Sequence, residues 1–137
     1  MDIVIRKYQD TDLDSVNNIL NEAFQKQKEN FSDDNFYEVV AQCNEKVVGY
    51  LLLTRVLNPI KNKYYYLVDY VCVLSEYRGL GISDKMMEYA EKIVRENKGL
   101  YIQLTCSRNR EAAHKLYERC GYEKRDSDIY RKVIIWY

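Results

Sequence analysis

The spacing of apolar positions changes several times along the chain, and each change marks an element. Ile3–Arg6 alternates and reads as a first strand. Thr11, with Asp14 three residues on, makes a capping-box start for a helix whose stripe is Leu13, Val16, Leu20, Ala23 and Phe24. Gln25–Asn35 is polar and broken, with Phe31 inside it; it reads as a short helix or a mobile loop of the kind that frames binding sites. Tyr37–Cys43 and Lys46–Leu57 read as strands joined at Asn44-Glu45 in a hairpin, which Asn58-Pro59 closes. Tyr64–Leu74 is the next strand, antiparallel by the same reasoning. A helix starts near Ile82, carries Met86, Tyr89, Ala90, Ile93 and Val94 at helical spacing, and stops at Lys98-Gly99. Leu100–Cys106 follows a crossover helix and is therefore predicted to run parallel to Tyr64–Leu74. Asn109–Cys120 reads as a further helix with Ala113, Leu116, Tyr117 and Cys120 facing inward, stopped by Gly121. Tyr122–Arg125 and Ile129–Ile135 then read as a terminal hairpin around Asp126-Ser127-Asp128. This order predicts one α/β (α+β) layered domain over residues 1–137, with a mixed, mainly antiparallel central sheet of about six to seven strands flanked by about four helices.

One stretch of that order concentrates the chemistry. Leu67–Leu74 is a β-type run, Ser75–Ser83 is a turn carrying Arg78, Gly79 and Gly81, and the helix begins directly after it. A strand that runs through glycines into a helix N-terminus converges backbone N–H groups and the positive end of the helix dipole on one point, which suits a phosphate. Glycine removes the Cβ that would keep an anion away. The same residues also suit an ordinary strand–turn–helix junction. The stretch is not a Walker loop, since no Gly-Lys-Ser/Thr follows, and it lacks the third glycine of a dinucleotide-binding fingerprint.

Composition narrows the function classes. A formal net charge of zero argues against a dedicated nucleic-acid or anionic-membrane binder, which is ordinarily basic. The N-terminus MDIVIRKYQD is charged at once and shows no signal-peptide pattern, and the apolar run Val47–Leu53 is too short to span a bilayer. Cys43, Cys72, Cys106 and Cys120 are scattered with no CxxC, which reads as buried, reduced thiols of a cytoplasmic protein. The one histidine, His114, has no ligand-spaced neighbour, so no metal is expected; it also falls outside the stripe of Tyr117 and reads as exposed and not catalytic.

Arg78-Gly79-Leu80-Gly81-Ile82-Ser83 resembles the acetyl-CoA loop of the GNAT superfamily of N-acetyltransferases, Gln/Arg-x-x-Gly-x-Gly/Ala. Ser83 departs from it, standing where Gly or Ala is usual, although serine is small and can donate to a phosphate. Asn109–Tyr122, with its alanines, Leu116-Tyr117-Glu118 and Gly121-Tyr122, is similar to the downstream segment of the same family. The predicted element order is also that of the family's fold, so the resemblance covers essentially the whole chain.

The resemblance implies acetyl-CoA as co-substrate. Its pyrophosphate would sit on the amides of Gly79, Leu80, Gly81, Ile82 and Ser83, with Arg78 adding charge. The backbone of Val71, Cys72 and Val73 would pair with the pantetheine arm, one N–H serving as oxyanion donor, while Asn109 would hydrogen-bond pantetheine or simply cap its helix. Tyr117 matches the family tyrosine beside the sulfur and would protonate the leaving thiolate, although a tyrosine there also suits a helix's core face. Asp69, at alternating positions with Val71 and Val73, is expected to share their face and to act as base, as a water-relay member or as an anion for the substrate ammonium; an acid capping a nearby loop would look the same. Glu22, Glu29 and Glu38 are weaker candidates. Phe31, Phe36, Tyr37, Tyr64, Tyr65, Tyr66 and Tyr70 are candidates for the acceptor pocket.

Three functions fit these residues. The leading one is an enzyme moving acetyl from acetyl-CoA to a primary amine of a small molecule or peptide. A non-catalytic CoA-binding sensor of the same fold is the alternative. A toxin acetylating charged tRNA is disfavoured by the zero net charge, although a local basic patch such as Arg55, Lys61 and Lys63 would serve it. The apolar tail Val133–Tyr137 raises the hypothesis of a homodimer sharing one sheet.

Overall fold

The computed structural model describes residues 1–136. Along it run β1 (Ile3–Lys7), α1 (Leu13–Phe24), β2 (Phe36–Cys43), β3 (Lys46–Asn58), β4 (Lys63–Val73), α2 (Ile82–Glu96), β5 (Ile102–Gln103) and α3 (Glu111–Arg119). The five strands form one sheet in chain order. They are antiparallel from β1 to β4 and parallel only between β4 and β5. The mixed, mainly antiparallel α/β class is as the sequence predicts.

Packing follows from strand alternation. Ala41 and Gly49 are register partners on β2 and β3. A Cβ on Gly49 would come within 3.1 Å of both the Ala41 Cβ and the Met86 Sδ, so α2 settles into the notch that this pair leaves. From α2 the residues Ile82, Met86, Met87, Ala90, Ile93 and Val94 are buried, as are Val16, Ile19 and Leu20 of α1. Alternation turns Tyr50 and Leu52 to the opposite face. Glu38, the register partner of Leu52, shares that face, and the chain after α1 crosses over it.

That crossing is residues 25–35, which form neither a helix nor an untethered loop. Asn17 holds the backbone of Lys28 twice, accepting from its N–H at 2.8 Å and donating to its carbonyl at 3.1 Å. The Lys28 ammonium lies 3.2 Å from Glu38 and 4.2 Å from the Tyr8 ring centroid, and the Tyr50 hydroxyl donates to Glu38 at 2.6 Å. A polar, irregular sequence is thereby pinned by side chains in place of a regular backbone ladder.

The C-terminal third departs from expectation. β5 keeps only Ile102–Gln103 of the predicted Leu100–Cys106, because β4 and β5 pair at just two positions before diverging. Among the described residues neither arm of the terminal hairpin forms, which leaves five strands there, not six to seven. The helices are α1, α2 and α3, not about four, apart from the single 3-10 turns Asp10–Asp12 and Ser75–Tyr77. The reason lies in Tyr122–Arg125. Three of its four residues are charged, only Tyr122 reaches the core, and a two-stranded hairpin without an apolar face is marginal in water.

Candidate active site

The site exists because two strands part. β4 pairs with β5 at Tyr66↔Ile102 and Leu67↔Gln103 and nowhere beyond. Past that point a cavity of about 160 Å³ opens between them. Val68, Asp69, Tyr70 and Val71 of β4 form one wall, and Thr105, Arg110 and Tyr117 from the β5–α3 side form the other, with Phe24 closing the end. Along this stretch β4 has no strand on its β5 side, so its backbone edge is open to a ligand.

β4 also carries a bulge here. Tyr50 pairs with Cys72 and Leu52 with Asp69, so Tyr70 and Val71 together oppose Leu51. Tyr70 absorbs the extra residue with a φ of 56°, a left-handed conformation that costs a non-glycine residue energy and is tolerated where packing holds it. The Phe24 ring meets it edge-on at 5.4 Å. The bulge corrects one expectation. Simple alternation puts Asp69 on the face of Val71 and Val73, but the register places Asp69 with Leu52, Tyr50 and Cys72, while Val73 pairs with Gly49 on the α2 face.

Two residues singled out in the sequence therefore meet in one cavity, Asp69 on β4 and Tyr117 on α3. Asp69 is exposed at the rim, and partial desolvation by the cavity wall still raises its carboxyl above its ordinary value. Burial also raises Tyr117, aided by Cys106 and opposed by the positive charge of Arg110. Both shifts suit proton transfer: the carboxylate becomes a better base, and the phenol stays protonated through the neutral range. Beneath them Cys72 is buried and its thiol is pushed up to about 12, so it remains a neutral thiol.

The loop after β4 has the backbone an anion needs. Gly79 and Gly81 hold φ of 78° and 77°, and a Cβ at either would meet nothing within 4 Å, so conformation rather than space calls for glycine here. Gly81 is the N-cap of α2, with buried Ile82 and half-buried Ser83 as its first helical residues, and the helix's first-turn amides have no intrahelical acceptor. Leu80 projects outward, 41% exposed. The Arg78 Nε donates to the Val73 carbonyl at 3.4 Å, tying the loop back to β4.

Other candidates lie elsewhere. Asn109 is exposed and does not line the cavity; the N-cap of α3 is its neighbour Arg110, which does. Spacing could have singled Arg110 out, because it precedes Tyr117 by seven residues, two helical turns along one face. Glu22 accepts the Ser75 N–H at 2.7 Å and Glu38 is tied to Lys28 and Tyr50, while Glu29, like both of them, does not line the cavity. Of the aromatic candidates only Tyr70 lines it; Tyr66 is buried in the core, and Phe31 and Phe36 pack on each other. Phe24, which reads in sequence as plain core, completes the wall. His114 is half-buried, not exposed, with its Nε2 2.8 Å from the Ser107 carbonyl oxygen. The four cysteines are free, with Cys43 and Cys72 buried and Cys106 and Cys120 half-buried. A smaller hollow of about 90 Å³, between Lys7, Tyr37 and α2, holds none of the proton-transfer candidates.

Among solved structures the chain is similar to a ribosomal-protein-alanine N-acetyltransferase of Brucella melitensis biovar Abortus 2308, at 19% identity and a TM-score of 0.82 over 97% of this chain and 99% of that one. A transcriptional regulator of Bacillus halodurans C-125 superimposes at 21% identity and a TM-score of 0.83 over 96% and 100%. Glucosamine-6-phosphate N-acetyltransferase of Arabidopsis thaliana does so at 15% identity and a TM-score of 0.79 over 96% and 99%. At these identities the likeness is one of fold. The sequence profile of the acetyltransferase (GNAT) family matches residues 4–122, from β1 to the residue after the α3 stop, and with nearly the whole folded chain inside that match the protein belongs to the GNAT family of acetyltransferases.

Proposed function

We propose that the protein transfers the acetyl group of acetyl-CoA to a primary amine by direct attack within a ternary complex. The observation that carries this reading is the parting of β4 from β5, which sets an open backbone edge beside a cavity holding both Asp69 and Tyr117. Acetyl-CoA fits what the chain offers. The amides from Gly79 to Ser83 suit the pyrophosphate, with Arg78 flanking, and the edge at Val71, Cys72 and Val73 suits the amide-bearing pantetheine arm.

The step balances with two proton carriers. Asp69, directly or through one water, takes a proton from the substrate ammonium. The neutral nitrogen attacks the thioester carbonyl, a β4 N–H stabilises the oxyanion, the C–N bond forms and the C–S bond breaks; Tyr117 gives its proton to the departing sulfur, the second proton that the nitrogen sheds returns the Tyr117 phenolate to phenol, and Asp69 releases its proton to solvent. The products are the N-acetylated amine and CoA. Four free cysteines suit a reducing cytoplasm, and the exposed apolar tail suits a homodimer.

The test is calorimetric titration with acetyl-CoA, with ADP and NAD as controls. Micromolar binding of acetyl-CoA, much weaker binding of the controls, and at least about tenfold loss in Gly81→Val support the loop assignment. Absent binding sinks the reading. Binding with no turnover on any amine turns the protein into a CoA sensor.

A further inference from the structure

The cavity wall carries one carboxylate and one guanidinium that no described residue pairs. Asp69 stands on the β4 wall, open to solvent, and among the described residues its carboxylate has neither a hydrogen-bond nor an ion-pair partner. Arg110 stands on the other wall, and all six ion pairs among the described residues belong to other side chains. Both residues are exposed and therefore accessible to a ligand. Two complementary charges in one small cavity ordinarily pair with each other. Here both line the cavity without pairing, and a ligand carrying both signs would satisfy both.

From this juxtaposition we infer that the acceptor is a free α-amino acid, its amine directed to Asp69 and its carboxylate held by Arg110. This rests on the acetyltransferase reading and deepens it. The guanidinium fork matches a carboxylate in a planar, bidentate way that no other side chain offers. The size agrees. Ligand pockets commonly run to about 300–1,000 Å³, whereas this one is about 160 Å³ and must also admit the thioester end of the donor. A small acceptor suits that space better than a peptide or a large polyamine. The edge-on Phe24–Tyr70 pair on the β4 side favours an apolar or aromatic side chain over a charged one. Exclusion works from the same charges. An amine without a carboxylate leaves the guanidinium unpaired as the donor closes the cavity, and that is how a site built for a polar group rejects the analogue lacking it.

The experiment follows acetyl-CoA binding by calorimetry and then compares matched acceptors by free-thiol release. The pairs are L-phenylalanine with phenethylamine, L-leucine with 3-methylbutylamine, and L-methionine with 3-(methylthio)propylamine. Each amino acid is expected to exceed its decarboxylated partner at least tenfold in kcat/KM. Arg110→Gln is expected to erase that preference, chiefly through the KM of the amino acid, and Arg110→Lys to restore part of it; the affinity for acetyl-CoA stays within about threefold. Equal or better use of the decarboxylated amines overturns the inference. So does acetyl-CoA binding without transfer to any amino acid, and so does an Arg110→Gln defect confined to acetyl-CoA, which would assign Arg110 to the donor. Absent acetyl-CoA binding, by contrast, removes the acetyltransferase reading itself and this inference with it.

Discussion

In the proposed mechanism Asp69 and Tyr117 divide the proton work, and their environments set how each should respond to substitution. The Asp69 carboxyl is raised, so as pH falls through its value the group protonates and loses both its charge and its basicity. Above that value it can deprotonate an ammonium that solvent would leave charged. Asp69→Asn then depends on free amine already present, and its rate should be lower by about 10²–10³ at pH 7, with the gap shrinking toward pH 9.5. An unaltered pH–rate profile would remove Asp69 as base. Tyr117 is raised too, so it stays protonated across that range and sets no alkaline limb below about pH 10. Tyr117→Phe should cost roughly 10²–10⁴ in kcat with acetyl-CoA binding kept, and full turnover in that variant at every pH would reject the assigned acid. Both residues were legible in the sequence, Tyr117 through its motif and Asp69 as a lone acid in a β run. Arg110 was not, because reading the downstream segment residue by residue favoured Asn109, whereas periodicity on the helix face favours its neighbour.

At the scale of elements, strand order and helix positions followed from apolar spacing, but two local facts did not. The bulge at Tyr70–Val71 depends on how β4 registers against β3, and period-two counting carries no record of an inserted residue. The terminator of α2 was placed correctly for the wrong reason. Lys98, not Gly99, holds the left-handed φ of 55°. Gly99 is needed for space, since a Cβ there would lie 2.6 Å from both Tyr66 Cε1 and Val94 Cγ1. Tyr66 is 1% exposed and Val94 5%, so neither can withdraw. Gly99→Ala should therefore destabilise by about 1–3 kcal/mol, on the order of 3–10 °C in Tm. Gly79→Ala meets no atom and strains only φ, so it should cost about 1–2 kcal/mol. A thermal melt in which Gly99→Ala matches or exceeds the wild type would show that β4 and α2 are less tightly packed here than the distances require.

For the whole molecule the question is what the stretch after α3, read as a hairpin over Tyr122–Ile135, contributes. Sequence pattern alone made it a hairpin, because Ile129–Ile135 is rich in β-formers, but a strand needs a partner and a face to bury. β5 supplies neither, with only two paired positions before it diverges. Ile129, Tyr130, Ile134, Ile135 and Trp136 are between 67% and 93% exposed, and the one ion pair from this segment, Arg108–Asp128 at 3.7 Å, is itself open to solvent. Such a segment adds little to the stability of a single chain, since exposed ion pairs contribute about 0–1 kcal/mol and uncovered apolar side chains gain nothing from burial. Exposed large apolar side chains in such number favour association instead. Truncation after Asp126 removes it while leaving every strand, every helix and the whole cavity in place. The truncated protein should melt within about 2 °C of the full chain and bind acetyl-CoA equally well. Light scattering separates the two roles of the tail. A full-length mass near twice 16.4 kDa that falls to a single chain on truncation assigns the tail to the dimer. A mass of one chain at micromolar concentration both before and after removes the homodimer, and a large fall in Tm would mean that the tail folds onto its own sheet.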